Sequence, residues 1–387
     1  MGCVIVFIVP VNNQNVSFMR KIIDSHAHIG DLNGKTYTKS QLDVFVKTTL
    51  PNNDDVEKMY VSNLDVLTSK KSELEGNREL LDKFGNSNKY ELFLACSPKD
   101  GNVNNIKNLV KENPDKFIGL KFHPTLQNLD LSDSRYIPYL EFAKKNKIPC
   151  LFHSAVTLID GKINPTVKDV SDPESIYKLA KQYHQTPFVM AHLGAGWQES
   201  HDKAIEILIE SVKNGDANLY ADISWVDIGL EHSGNFDPNE HRSKDHILKA
   251  IKRLKGIGEN DWKYGDQSYR LMFGSDAPLD RFSDKNNRLK EYTTFIDDIK
   301  FAIKNDKDLA SEADKIIDDL FYNNAKKLYN KKLKIATNKT NKYKYIAGGV
   351  AVVFILALLA KMVQNKNKKQ YSWKIRNFAD LKILVII

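Results

Sequence analysis

Cysteine is almost missing from this chain. Its three residues, Cys3, Cys96 and Cys150, lie far apart in 387 positions and form no C-x-x-C pair. That spacing excludes a disulfide framework and a thiolate metal site, and makes a reducing compartment the default. Basic charge is missing where a nucleic-acid-binding body would need it. The net charge is +8, yet 15 of the 57 Lys and Arg lie from Ala325 onward, beside one acid, Asp380. The residues before Ala325 carry 42 basic and 48 acidic groups. Such a body has no cationic surplus for phosphates, so nucleic acid is not an expected partner. The N-terminus, MGCVIVFIVPV, lacks the basic region of a signal peptide. Val6 stands where N-myristoylation wants Ser or Thr. Residues 1–18 therefore read as an extension ahead of the first core strand.

Long apolar runs are also missing, with one exception near the end. YIAGGVAVVFILALLAKMV, residues 345–363, has Lys361 as its single charge. Its length approaches the roughly 20 residues that span a bilayer core. Eight lysines between Lys326 and Lys344 precede its apolar run, and six Lys or Arg from Lys361 to Arg376 follow it. With both flanks basic, charge gives no orientation. The expectation is a C-terminal single transmembrane helix holding the protein to a membrane, with the body facing the cytosol. The alternative is a buried helix of the body. The partition is then an extension at 1–18, a folded body at 19–332 and a basic linker at 333–344. The transmembrane helix at 345–363 and a basic tail at 364–387 complete it.

Within the body, short β-rich apolar runs alternate with helical patterns. The expected strands are 21–28, 58–65, 91–98, 117–124, 149–154, 187–194, 218–225 and 269–278. A helix is expected at 173–184, with Asp172 as N-cap and Pro173 in the first helical position. Eight such units predict an α/β fold, a (β/α)8 TIM barrel, with a doubly wound open sheet as the alternative. A barrel gathers its chemistry at the C-terminal ends of the strands. There the sequence sets His26 and His28, then Lys121 and His123, then His153, His192 and Asp276. Alternation in KIIDSHAH puts Asp24, His26 and His28 on one face of the first strand. Three imidazoles and a carboxylate form a nitrogen and oxygen set suited to Zn2+, or to Fe2+, Mn2+ or Co2+.

DSHAH, GLKFHP, LFHS, MAHLG and FGSDAP together resemble the amidohydrolase superfamily, in its amidohydrolase-related branch of mononuclear zinc hydrolases and decarboxylases. The resemblance runs from about Lys21 to Tyr329. It implies His26, His28, His153 and Asp276 as ligands of one divalent metal, with Asp276 also accepting a proton from water. It implies that His192 polarises the substrate or shuttles protons, or else binds a second metal. Lys121 is either carbamylated between two metals or, with His123, a substrate contact beside one metal. The single-metal arrangement is the one expected here, with zinc foremost. Asp24 is expected to support the ligands by hydrogen bonding. Asn63 and Asp222 are each either wall residues of the site or structural. The polar segment 226–243, with His232 and His241, is a candidate lid.

The function implied is a metal-dependent hydrolase using a metal-activated water on an amide, ester or lactone carbonyl of a small molecule. A metal-dependent decarboxylase on the same site is the alternative. A third reading is an inactive membrane-tethered binding protein.

Overall fold

A computed structural model describes residues 19–333 apart from 51–52, 155–157, 160–161, 164–169, 195–197, 225, 227–241, 259–261, 279–287 and 331. Eight parallel strands are present: β1 (Lys21–Leu32), β2 (Asp55–Asn63), β3 (Tyr90–Ala95), β4 (Phe117–Phe122), β5 (Cys150–Phe152), β6 (Phe188–Met190), β7 (Leu219–Asp222) and β8 (Leu271–Met272). Each pairs in parallel with the next in chain order. Between β1 and the segment after β8, the sheet closes through backbone bonds. Ser25 N donates to Phe273 O (3.0 Å), Asp276 N to His26 O (2.8 Å) and His28 N to Ala277 O (2.8 Å). The expected barrel is present, and closure leaves no edge between its first and last strands.

Its interior is filled by one residue from each of several strands. Ile23, Tyr60, Phe93, Ile118, Leu151, Val189 and Met272 form one buried cluster with Ala325 and Tyr329. The last two come from the closing helix Asn324–Leu328 and its cap. Tyr329 meets Tyr60 and Phe93 edge-on, at centroid distances of 5.4 and 5.3 Å. This segment plugs the barrel at the end opposite the histidines. Tyr329→Ala is expected to cost about 3–5 kcal/mol of stability, as deletion of a buried aromatic does. Urea unfolding of the two proteins checks it.

The helices cover the outer face with single apolar stripes. In Arg288–Asn305, Tyr292, Ile296, Ile299 and Ile303 are buried at i, i+4, i+7 and i+11, while the helix also carries seven charged residues. The helix expected at 173–184 is Pro173–Gln182, with the Asp172 carboxylate accepting from Glu174 N at 2.7 Å.

Two expectations need correction. Among the described residues no helix is long and apolar enough to cross a membrane. The long ones are amphipathic covers of the barrel, charged on the side away from it. The stretch 345–363 lies outside the described residues. Among the described residues the fold class stands as a barrel with no transmembrane helix, and the membrane localisation drawn from that helix is left without support. The chain divides into two compact units, Met1–Ile335 and Ala336–Ile387. The second lies wholly outside the described residues, as do the extension 1–18 and nearly all of the candidate lid, including His232 and His241.

The second correction concerns β1. Its pairing with β2 slips between Asp24 and Ala27, where three steps on β1 match two on β2. This bulge reverses the alternation. Ile22 packs in the outer core and Ile23 in the inner one. Asp24 then reaches the outer-layer residue Tyr292. His26 and His28, beyond the bulge, both turn inward. Asp24 does not share a face with them.

Candidate metal centre

The C-terminal ends of the strands bring the candidate ligand atoms together. His26 Nε2 and His28 Nε2 lie 3.0 Å apart. Asp276 Oδ1 stands 3.3 Å from His26 Nε2 and 2.9 Å from His28 Nε2. Ligands held at about 2.0–2.2 Å around a tetrahedral zinc stand about 3.3 Å from one another, so these spacings suit one divalent ion. All three residues are buried. The far nitrogens of both imidazoles are held: His26 Nδ1 by Asp222 Oδ2 at 3.0 Å and His28 Nδ1 by Ser62 Oγ at 2.7 Å. Partners of that kind orient ligand histidines. By donor type, spacing and outer support, the residues fit a divalent metal.

Burial holds the His26, His28, His123, His153 and His192 imidazoles well below the ordinary histidine range. Next to burial, the Lys121 charge is the largest influence on His26, His28 and His153. Neutral imidazole is the form that binds metal. Burial pushes Lys121 down to about 8, against the pull of Asp276 and Asp222. Its Nζ lies 2.8 Å from His26 Nε2. Burial also raises Asp24 to about 7, despite the hydrogen bonds it accepts. Those come from Ser275 N (2.9 Å), Ser275 Oγ (2.5 Å), His26 N (3.3 Å) and Tyr292 Oη (3.1 Å). Asp24 thus ties the start of the histidine motif to the segment that carries Asp276.

Two candidate site residues sit in left-handed turns rather than on strands. His192 has φ +63° and is followed by Leu193 at +45° and Gly194 at +72°, while Asp276 has φ +61°. Left-handed conformations in non-glycine residues persist where the surroundings enforce them. Gly274 permits the second turn: a Cβ there would come within 2.9 Å of His26 Cβ.

His153 and His192 lie outside the candidate group of His26, His28 and Asp276. His153 Nδ1 meets His192 Nε2 at 3.1 Å, and His192 Nδ1 meets Ser224 Oγ at 2.8 Å. Both ring nitrogens of His192 are thus engaged within the protein. His123 stacks on His153 with centroids 3.7 Å apart. Its Nδ1 accepts from Leu126 N at 3.2 Å and caps the short helix Pro124–Gln127. A second possible ligand group, His26 with His192 and Asp222, is joined directly by hydrogen bonds and reads as support for the first.

A family model described as Amidohydrolase matches residues 106–331, more than half of the chain. The protein belongs to this amidohydrolase family. The matched segment holds Lys121, His123, His153, His192 and Asp276, whereas His26 and His28 precede it. No curated protein sequence matches the chain. Among solved structures, the 2,6-dihydroxybenzoate decarboxylase of Rhizobium is 13% identical, with a TM-score of 0.52 over 81% of this chain and 99% of that one. A candidate 2-pyrone-4,6-dicarboxylic acid hydrolase of Pseudomonas putida is 15% identical, with a TM-score of 0.52 over 81% and 98%. An amidohydrolase of Burkholderia multivorans with bound zinc is 12% identical, with a TM-score of 0.52 over 80% and 99%. At these identities the likeness is one of fold.

Ser62 and Ser224, which the sequence does not single out, hydrogen-bond to His28 and His192, and Asp222, wall or scaffold by sequence, holds His26. Each is a common residue type, and the signal that could have found them is position. Ser62 is near the end of β2, and Asp222 and Ser224 alternate at the end of β7. Asn63, the other undecided residue, is structural. Its side chain accepts from Asp65 N (2.9 Å) and donates to Gly76 O (2.9 Å).

Proposed function

We propose that the protein is a metal-dependent hydrolase acting on an amide, ester or lactone carbonyl of a small molecule. The observation that carries this reading is the convergence of His26 Nε2, His28 Nε2 and Asp276 Oδ1 at the barrel mouth. A divalent ion there supplies Lewis acidity towards a carbonyl and acidifies water near neutral pH. The remaining work belongs to the chain. The Asp276 carboxylate takes the proton of the attacking water, as a general base within reach of the reacting atoms. Lys121 offers a cation to a substrate carboxylate or a developing oxyanion. His123 spends Nδ1 on its helix cap, which leaves Nε2–H as a donor to substrate. His192 acts through His153 rather than on the substrate.

A second reading, decarboxylation of a small carboxylic acid, is favoured by the fully buried Lys121 ammonium. An anionic substrate is the natural partner for a cation so far from water. The test is a screen of the full chain, loaded in turn with Zn2+, Mn2+, Fe2+ and Co2+, against lactones, amides, esters and aryl carboxylates. Metal-dependent hydrolysis supports the first reading. Release of carbon dioxide without hydrolysis supports the second. No turnover with any metal would overturn both.

A further inference from the structure

The turn that carries His192 is unfavourable by itself. His192 and Leu193, at φ +63° and +45°, both lie in the left-handed region, and Gly194 follows at +72°. Two consecutive non-glycine residues keep that conformation only where their surroundings over-determine it. The backbone bond across the turn, from Gly194 N to Ala191 O, is long at 3.4 Å. Side chains from two other elements clamp it instead. At one end the His192 N–H donates to Asp222 Oδ1 (2.9 Å). At the other, His201 Nδ1 donates to the Leu193 carbonyl (2.9 Å) from near the start of the helix Gln198–Asn214. Packing alone does not call for a histidine there. A carbonyl only accepts, so Nδ1 carries the His201 proton. Burial lowers His201 to about 4, so near neutral pH the ring is uncharged and Nε2 is a bare lone pair. That nitrogen is buried, and among the described residues nothing hydrogen-bonds to it. Its ring neighbour is another imidazole, His246 of the helix Arg242–Lys255, with centroids 5.0 Å apart. An apolar side chain of like size would fill the same space and strand no polar atom. What the histidine adds is the N–H on Leu193.

We propose that His201 is a positioning residue for the candidate site: its bond to the Leu193 carbonyl latches the left-handed turn, and the turn sets the His192 ring against His26. The two rings stack, with centroids 5.0 Å apart and planes inclined by 26°. Relaxation of the turn towards ordinary φ values would swing the His192 side chain off that ring. It would also draw the His192 N–H away from Asp222, whose other oxygen faces His26 Nδ1 at 3.0 Å. His201 thus acts on the mouth through the backbone, from a helix that packs outside the barrel. The effect on metal binding rests on the metal-centre reading above, whereas the effect on the turn does not.

The test compares the full parent chain with two variants. His201→Leu removes the donor, and His201→Asn keeps an N–H at the δ position without the second ring nitrogen. Three quantities are read: amide hydrogen exchange at His192 and Gly194 relative to Val189 and Ala221 in the adjoining strands, the urea midpoint, and zinc affinity. In His201→Leu, exchange at His192 and Gly194 is expected to rise by about 2–10-fold against the strand amides, the factor that one lost hydrogen bond sets. Zinc affinity falls by a like factor, while the urea midpoint holds or rises because the unpaired nitrogen is gone. His201→Asn returns exchange and affinity to near the parental values. Unchanged exchange at His192 in His201→Leu would overturn the proposal. So would uniformly faster exchange with a lower urea midpoint, the mark of a merely structural role, and so would a folded His201→Asn that restores nothing. Should His201→Leu fail to fold, His201→Phe removes the same donor within a ring of similar outline. If the parent binds no zinc, the metal-centre reading falls, and the exchange pattern still decides for or against the latch.

Discussion

Replacing His26 and His28 together by alanine is expected to take bound metal from about one ion per chain to near zero. Two of the three converging donor atoms belong to these residues, and Asp276 Oδ1 alone cannot hold an ion against water. The affinity loss should exceed the 10–100-fold that removal of an outer partner causes. The barrel should survive, because neither ring belongs to its apolar core. Truncation of His26 does leave Asp222 Oδ2 without its nearest ring partner, a cost of about 1–3 kcal/mol. Elemental analysis of metal-loaded parent and variant, with circular dichroism to confirm folding, reads the outcome. Equal metal content in the two proteins would remove this site and revive the reading of the protein as an inactive binding protein.

Asp276→Asn is the second large effect. The amide keeps the shape of the carboxylate but is neither an anionic ligand nor a base. With metal saturating, kcat/KM on any substrate found by screening should fall by about 10²–10⁴-fold, the range that a positioned general base contributes. Without saturating metal the loss should be larger, since the same oxygen is one of the three donor atoms. The difference between the two conditions separates the carboxylate's two roles. A fall of less than about tenfold at saturating metal would show that the proton goes elsewhere. Lys121 is a second readout, because Asp276 is the largest influence opposing the fall in its pKa. Removing that charge should move Lys121 further down, which 15N spectroscopy of the lysine side chain would register.

The barrel was legible because parallel strands buried on both faces read as short apolar runs, and because helix caps such as Asp172–Pro173 punctuate the chain between them. Residues at the mouth were legible for a related reason: a polar side chain after an apolar run has to be going somewhere. Alternation failed where the backbone departs from an ideal strand. The bulge in β1 carries one extra residue that no side-chain pattern announces, so Asp24 was assigned to the wrong face. His192 and Asp276 lie at the right end of the barrel, but on left-handed turns rather than strands. Their environment sets the direction of their side chains, and periodicity does not. Asp222 and Ser224 were illegible as supports of the candidate site because their meaning lies in what they touch. The transmembrane expectation at 345–363 rested on hydropathy alone, and no described helix supports it.

The seam between β1 and the segment after β8 has a kinetic consequence. His26 and His28 come from the start of the barrel and Asp276 from its end, some 250 positions later, and the bond from Asp276 N to His26 O fastens the two. Such a junction has the largest loop to close, so it belongs late in folding. A nascent chain would thus have no assembled ion trap until its last strand arrived. Ion capture would mark completion of the ring, and a bound ion would favour the closed form over any opened one by mass action.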